Sequence, residues 1–138
     1  MRDKEELFLI VDDEPDMCWA LAEILKKNGH GSEKALSGQE ALALLERNRF
    51  TLAFLDAKLP DVEGLDLARR IREIDPAIPI VMVSGYFYRD DLDVWRALRE
   101  GLISGFIGKP FLNEEILKTL DHTSPLWHPS FEEWTCSY

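Results

Sequence analysis

Acidic residues, a serine and a lysine stand just beyond short apolar runs, and their types suit phosphoryl chemistry. Asp12, Asp13 and Glu14 follow the run 7–11, Asp56 follows 51–55, Ser84 follows 78–83, and Lys109 comes just after 104–107. Carboxylates about 5 Å apart repel by about 3 kcal/mol per pair at an effective dielectric near 20, so a cluster of Asp12, Asp13 and Asp56 calls for neutralisation. A hard divalent cation, Mg²⁺ or Mn²⁺, meets that need with few carboxylates and keeps positions open for water or phosphate oxygens. Lys109 adds a mobile cationic point charge. An aspartate in such surroundings can act as a nucleophile and form an acyl phosphate. Any one of these acidic residues reads equally well as a solvated loop charge; their joint occurrence at the ends of different strands points to a site.

The elements that must position the cluster alternate between strand-length runs and helical patterns. After residues 7–11, Met17, Ala20, Leu21, Ile24 and Leu25 recur at the i, i+3, i+4, i+7, i+8 spacing of one helix face. Pro15 suits the first turn, where its missing N–H is not needed, and Asn28-Gly29 supplies a stop. Residues 31–36 make a second strand with little apolar patterning. Ser37-Gly38-Gln39-Glu40 has the form of a capping box ahead of Ala41, Leu44 and Leu45. Residues 51–55 read as the third strand. Beyond a loop containing Leu59-Pro60-Asp61, Gly64, Leu67, Ala68, Ile71 and Ile74 trace a third helix that ends before Pro76. Residues 78–83 read as a buried strand, 90–99 as a helix closed by Gly101, and 104–107 as the last strand. Leu112, Ile116, Leu117 and Leu120 mark a fifth helix.

Five such strand–helix units with near-continuous apolar strands imply an α/β fold, a doubly wound five-stranded parallel sheet covered by helices on both faces. Right-handed crossovers and this element count favour the flavodoxin-like order 2-1-3-4-5, in which ligands bind beyond the carboxyl ends of strands one and three. The 138 residues suit a single domain with one core. A net charge of −10 repels phosphate backbones and anionic lipid, which argues against direct nucleic-acid binding. No apolar run reaches the length of a membrane helix, and the mixed, acidic start is unlike a signal peptide, so a cytoplasmic location is expected. Cys18 and Cys136 lie far apart in no metal-binding spacing, so neither a disulfide framework nor a zinc site is indicated.

With these residues in place, the sequence resembles the receiver domain of bacterial two-component response regulators, the stand-alone chemotaxis type included. The resemblance covers about residues 6–121. It rests on Val11-Asp12-Asp13-Glu14, on Leu55-Asp56 with Leu59-Pro60 and Gly64, on Val83-Ser84-Gly85, and on Gly105-Phe106-Ile107-Gly108-Lys109-Pro110-Phe111. Each mark is weak alone, and the set is specific. It assigns 1–121 to a receiver domain and 122–138 to an aromatic-rich C-terminal tail or linker.

The resemblance implies a phosphoprotein of phosphorelay signal transduction. A histidine kinase or phosphotransfer protein would present a phosphohistidine, and Asp56 would take the phosphoryl group as an aspartyl phosphate. Asp12 and Asp13 would hold Mg²⁺, directly or through water, with Asp56 and the backbone carbonyl of Lys58 completing the protein ligands. Lys109 would pair with one phosphoryl oxygen and Ser84 would bond another. Ser84 would move towards the phosphoryl group while Phe106, at a position commonly Tyr, turns inward; plain core packing is the alternative for Phe106. The Lys109-Pro110 bond is cis in the family, and local sequence leaves the isomer open. Such a domain is not an enzyme for outside substrates: it catalyses its own phosphoryl transfer and autodephosphorylation.

Leu59 in place of a common Met is conservative, and Gly85 in place of a frequent Ala keeps the site open. Lys58 and Tyr86 flank the path of hydrolytic water in this family and are expected to tune phosphoryl lifetime; a solvent-exposed aromatic is the plain alternative for Tyr86. A haloacid-dehalogenase-type phosphatase needs a second Asp two positions after the nucleophile, where Lys58 stands. A P-loop needs a longer gap and a final Ser or Thr, which the glycine-containing run before Pro110 lacks. The remaining rival is a receiver-fold interaction module that works without phosphorylation. Output in the family uses the face of helix four, strand five and helix five, where Asp90, Asp91, Trp95, Arg96 and Arg99 are candidates for contact with a downstream protein or in a homodimer; Trp95 reads equally as core. Arg69, Arg70 and Arg72 read as a solvated face. The 17 residues after Asp121 are too few for a DNA-binding output domain. Trp127, Phe131 and Trp134 recur at i, i+4, i+7, with Tyr138 beyond, as a docking helix or as part of a linker.

Overall fold

The apolar runs form five parallel strands: β1 (Leu7–Val11), β2 (Gly31–Ala35), β3 (Leu52–Asp56), β4 (Ile80–Ser84) and β5 (Gly105–Gly108). Helices α1 (Pro15–Lys27), α2 (Gly38–Arg47), α3 (Gly64–Ile74), α4 (Leu92–Glu100) and α5 (Asn113–Asp121) follow them in turn. The computed structural model describes residues 6–85, 92–109, 111 and 113–121. The strand order is β2-β1-β3-β4-β5, the doubly wound arrangement that the alternation of elements implies.

Every residue of β3 and β4 is buried, because side chains point alternately into two helical layers. Leu9, Val11, Ala53, Leu55, Ile80 and Met82 pack into the layer of α2, α3 and α4. Phe8, Ile10, Leu52, Phe54, Val81 and Val83 pack into the layer of α1 and α5. Each fully buried aliphatic or aromatic side chain contributes about 1.5–3 kcal/mol, so two-sided burial explains why these strands carry no polar alternation.

The boundaries differ from the sequence pattern for identifiable reasons. β3 and β4 each extend to a polar residue, since Asp56 pairs in register with Val83 and Ser84 with Gly108. β4 starts at Ile80 because Pro79 has no N–H for the ladder, although its carbonyl accepts from Ala53 N–H at 3.0 Å. β2 is an edge strand with Glu33 and Lys34 exposed, hence its weak apolar pattern. On α1 the buried stripe is Cys18, Leu21, Ile24 and Leu25, turned slightly from the expected face that begins with Met17 and Ala20, and Trp19 is 62% exposed. Ile74, expected on the buried face of α3, is 41% exposed in the last turn.

Arg72 corrects the expectation of a solvated basic face. Arg69 and Arg70 are exposed, Arg69 pairing with Asp66 at 2.8 Å, but Arg72 is half-buried. Its guanidinium donates to the carbonyls of Ile78, Leu102 (3.1 Å), Pro76 (3.4 Å) and Gly101 (3.5 Å), tying the end of α3 to the start of β4 and to the turn after α4. Burial lowers its pKa from the ordinary value. Replacing Arg72 with Met keeps the apolar stem and strands the carbonyls, so urea unfolding is expected to show a loss of about 1–3 kcal/mol. Arg69→Met, on the solvated side of the same helix, is expected to change stability by less than about 0.5 kcal/mol.

Candidate functional site

The carboxyl-terminal edge of the sheet brings Asp12, Asp13 and Asp56 together, each with a carboxylate oxygen within 4.8 Å of the others'. Asp12 directly follows β1, and its N–H bonds the Ala35 carbonyl at 3.0 Å, which carries the ladder one step past Val11. Its Oδ1 accepts from Glu14 N–H at 2.9 Å, turning the chain into α1, where Pro15 takes the first helical position. Cys18, one turn into α1, donates its thiol to the Asp12 carbonyl at 3.3 Å. Burial, and then the charge of Asp12, push that thiol's pKa up to about 11, so it stays protonated as a donor.

Lys109 enters from the far side. Its N–H donates to the Ser84 carbonyl at 2.8 Å, and its side chain, only 11% exposed, crosses the edge. Nζ lies 2.7 Å from Asp12 Oδ2 and 3.7 Å from both Asp56 Oδ2 and Glu14 Oε1. Burial disfavours the ammonium, but the hydrogen bond and charge of Asp12, then Asp56 and Glu14, outweigh it and raise the Lys109 pKa. At Asp56 the balance instead disfavours the charged form: burial, and then the charge of Asp12, raise its pKa against the pull of Lys109. One ammonium therefore serves several carboxylates, and negative charge is left over.

The donor set suits a hard divalent cation: every ligand candidate is an oxygen, and a cation with metal–oxygen bonds of about 2.1 Å nearly spans the separations found. Asp12 and Asp56 are buried and Asp13 is exposed, so one side of the group opens to solvent. Lys58 lies beside it in the loop after β3, with its N–H 3.5 Å from Asp56 Oδ1. Gly64 makes that loop compact: its N–H bonds the Ala57 carbonyl at 2.8 Å, and a Cβ there would lie 2.7 Å from the Asp56 carbonyl oxygen and 2.8 Å from Ala57 Cα.

Ser84 ends β4 fully buried at the same edge, on the side of the sheet that Ile80 and Met82 present to the α2–α3–α4 layer. Phe106, opposite Met82, is half-buried and packs on that layer, as does half-buried Trp95. Arg96 and Arg99 are exposed on α4. Tyr86, Asp90, Asp91, Pro110, Leu112 and residues 122–138 lie outside the described residues. The apolar spacing of α1 gave no hint that Cys18 bonds Asp12, because the pattern from Met17 to Leu25 leaves Cys18 out and a thiol reads there as a small apolar residue.

Residues 8–121 match the response regulator receiver domain. The chain belongs to this family, the receiver domains of two-component response regulators. It is 31% identical over 122 residues to sporulation initiation phosphotransferase F of Bacillus subtilis, an alignment covering 88% of this chain and 95% of that protein. Among solved structures it is similar to a CheY-like receiver domain protein of Methanospirillum hungatei, with 28% identity, a TM-score of 0.79 and coverage of 96% and 98% of the two chains. It is also similar to response regulator TrrA of Thermotoga maritima in complex with Mg²⁺-BeF, with 28% identity, a TM-score of 0.75 and coverage of 86% and 98%. The chain spans about half the length of other curated relatives it matches, 45% of one and 50% of another. Among the described residues, no helix is long and apolar enough to cross a membrane.

Because the folded chain holds the Asp56 proton more tightly than the unfolded chain, this group's contribution to stability falls as pH rises from the ordinary value of 3.8 through the raised one. At neutral pH in chelator, Asp56→Asn is therefore expected to stabilise the fold, by about 0.5–2 kcal/mol in urea unfolding. The gain should shrink as the pH is lowered towards about 4. A variant less stable than wild type at neutral pH would contradict burial and Asp12 as the dominant influences on Asp56.

Proposed function

We infer that Asp56 is a phosphoacceptor, taking a phosphoryl group from the phosphohistidine of a histidine kinase or phosphotransfer protein. The observation that carries this reading is the approach of the Lys109 ammonium to both Asp12 and Asp56 within one group of three carboxylates. In the transfer, an Asp56 carboxylate oxygen attacks phosphorus, the new P–O bond forms as the P–N bond to the donor imidazole breaks, and the imidazole nitrogen leaves with the electron pair. Asp12, Asp13, Asp56 and the backbone carbonyl of Lys58 would hold Mg²⁺, or Mn²⁺ in its place. When bound, the cation supplies positive charge against the phosphoryl oxygens. Lys109 offers an ammonium to one of those oxygens and Ser84 a hydroxyl to another. Support for the metal and the phosphoryl group comes from the TrrA complex with Mg²⁺-BeF and from the phosphotransferase name of the Bacillus relative.

In this reading residues 1–121 are the receiver domain and 122–138 a tail or linker, and this domain signals from the cytoplasm without touching nucleic acid or membrane itself. It acts on no outside substrate, and water later removes the phosphoryl group from Asp56. Lys58 and Tyr86 set how quickly. Ser84 and Phe106, which share one face of the sheet, couple phosphorylation to the surface of α4, β5 and α5, where a downstream protein or a second copy docks.

Incubation with Mg²⁺ and acetyl phosphate, followed by intact-mass measurement, is expected to show one phosphoryl adduct on wild type, none on Asp56→Asn, and none in chelator. An equal adduct on Asp56→Asn would overturn the assignment. Absence of both an adduct and beryllofluoride binding in wild type would favour an interaction module that works without phosphorylation. With the adduct in hand, Tyr86→Ala is expected to lose phosphate faster than wild type; an unchanged decay rate would remove Tyr86 from control of lifetime.

A further inference from the structure

The capping box before α2 and Asp61 in the loop between β3 and α3 have no part in the chemistry above, and the fold joins them. A helix start presents N–H groups without intrahelical acceptors, together with the positive end of the helix dipole. At α2, Ser37 Oγ accepts from Glu40 N–H at 3.2 Å. The Glu40 carboxylate accepts from Leu36 N–H at 2.8 Å. The donors left between them go to the distant loop: Gly38 N–H reaches Asp61 Oδ1 at 2.9 Å and Gln39 N–H reaches Asp61 Oδ2 at 3.0 Å. Both oxygens of one carboxylate thus lie across the helix start, in charge-assisted bonds stronger than neutral ones.

Packing supports the same contact. Gly38 is buried, and a Cβ there would stand 2.4 Å from Val62 Cγ1 and 3.4 Å from Asp61 Oδ1, so the glycine leaves the space in which the loop seats. The Gly38 N–H above all, with that of Gln39, holds the Asp61 carboxyl below its ordinary range against desolvation, and Arg70 adds to the effect.

The loop is also closed on itself next to the acidic site. Gly64 N–H bonds the Ala57 carbonyl at 2.8 Å, Leu59 N–H bonds the Val62 carbonyl at 3.3 Å, and Lys58 pairs with Glu63 in an antiparallel bridge. Its outer corner is therefore pinned to α2 through Asp61. Its inner corner carries the Lys58 backbone, with the N–H facing Asp56.

We propose that Asp61 is a positioning residue: its carboxylate clasps the β3–α3 loop to the start of α2 and thereby holds the Lys58 backbone at the acidic site, so that cation affinity depends on a side chain that touches no cation. The proposal rests on the reading of Asp12, Asp13 and Asp56 as a cation site. Its competitor is a helix cap whose influence stops at α2.

The test uses the full chain and Mg²⁺ alone, with affinity measured by calorimetry and amide exchange measured without metal. Asp61→Ala is expected to weaken Mg²⁺ binding by about tenfold, the scale of an outer-layer contact to a metal site. Exchange should quicken at Leu59 and Gly64 as well as at Gly38 and Gln39. Asp61→Asn, which retains an acceptor oxygen, is expected to recover part of the affinity and serves if the Ala variant folds poorly. Ser37→Ala removes a cap from the same helix start and is expected to lower the unfolding midpoint while leaving Mg²⁺ affinity unchanged. Unchanged Mg²⁺ binding in both Asp61 variants, or equal weakening in Ser37→Ala, overturns the clasp and leaves a local cap. A wild-type protein that binds no Mg²⁺ overturns the cation reading and the proposal with it, whereas normal wild-type binding isolates any failure to the clasp.

Discussion

The ion pair between Lys109 and Asp12, at 2.7 Å and nearly removed from water, is what makes the rest of this edge tenable. Asp12 and Asp56 are both buried, and buried like charges cost free energy unless something of opposite sign stands among them. Lys109 answers Asp12 directly and Asp56 at longer range, so burial and the charge of Asp12 still raise the Asp56 pKa and leave room for a further positive charge. The same imbalance that burdens the isolated fold gives an incoming cation a reason to bind. In the proposed function, stability and reactivity are set against each other at this one residue, a common feature of reactive sites.

The sheet makes that arrangement rigid. Asp12 and Lys109 are each anchored by a backbone bond that extends a strand ladder past its last regular residue, to Ala35 and to Ser84 respectively. Alternation along the strands then divides the labour. Asp56 continues the side of Leu52 and Phe54, towards α1 and α5, whereas Ser84 continues the side of Ile80 and Met82, where Phe106 and α4 pack. Ser84 thus lies on the side of the sheet that α4 covers, and Asp56 on the other.

Loops complete the frame, and their contacts are long-range in sequence. Arg72 ties the end of α3 to the turn after α4, and Asp61 ties the loop after β3 to the start of α2. Arg72 is half-buried and Asp61 exposed, and each satisfies backbone groups at an element end through a partner distant in sequence.

The residues alone determined the alternation of strands and helices, the parallel sheet, and the convergence of Asp12, Asp13, Asp56, Ser84 and Lys109 on one edge. All of these follow from local periodicity and from side chains placed at strand ends, information carried within a few residues of each position. Tertiary structure decided what depends on partners far along the chain. It turned the buried stripe of α1 to Cys18, left Ile74 exposed, drew Arg72 inward to main-chain carbonyls and brought Asp61 to Gly38 across 23 residues. It also decided which carboxylate Lys109 meets most closely. The physical reason is the same in each case: a hydrogen bond or ion pair between distant segments is set by how layers pack, and short-range spacing holds no record of that packing.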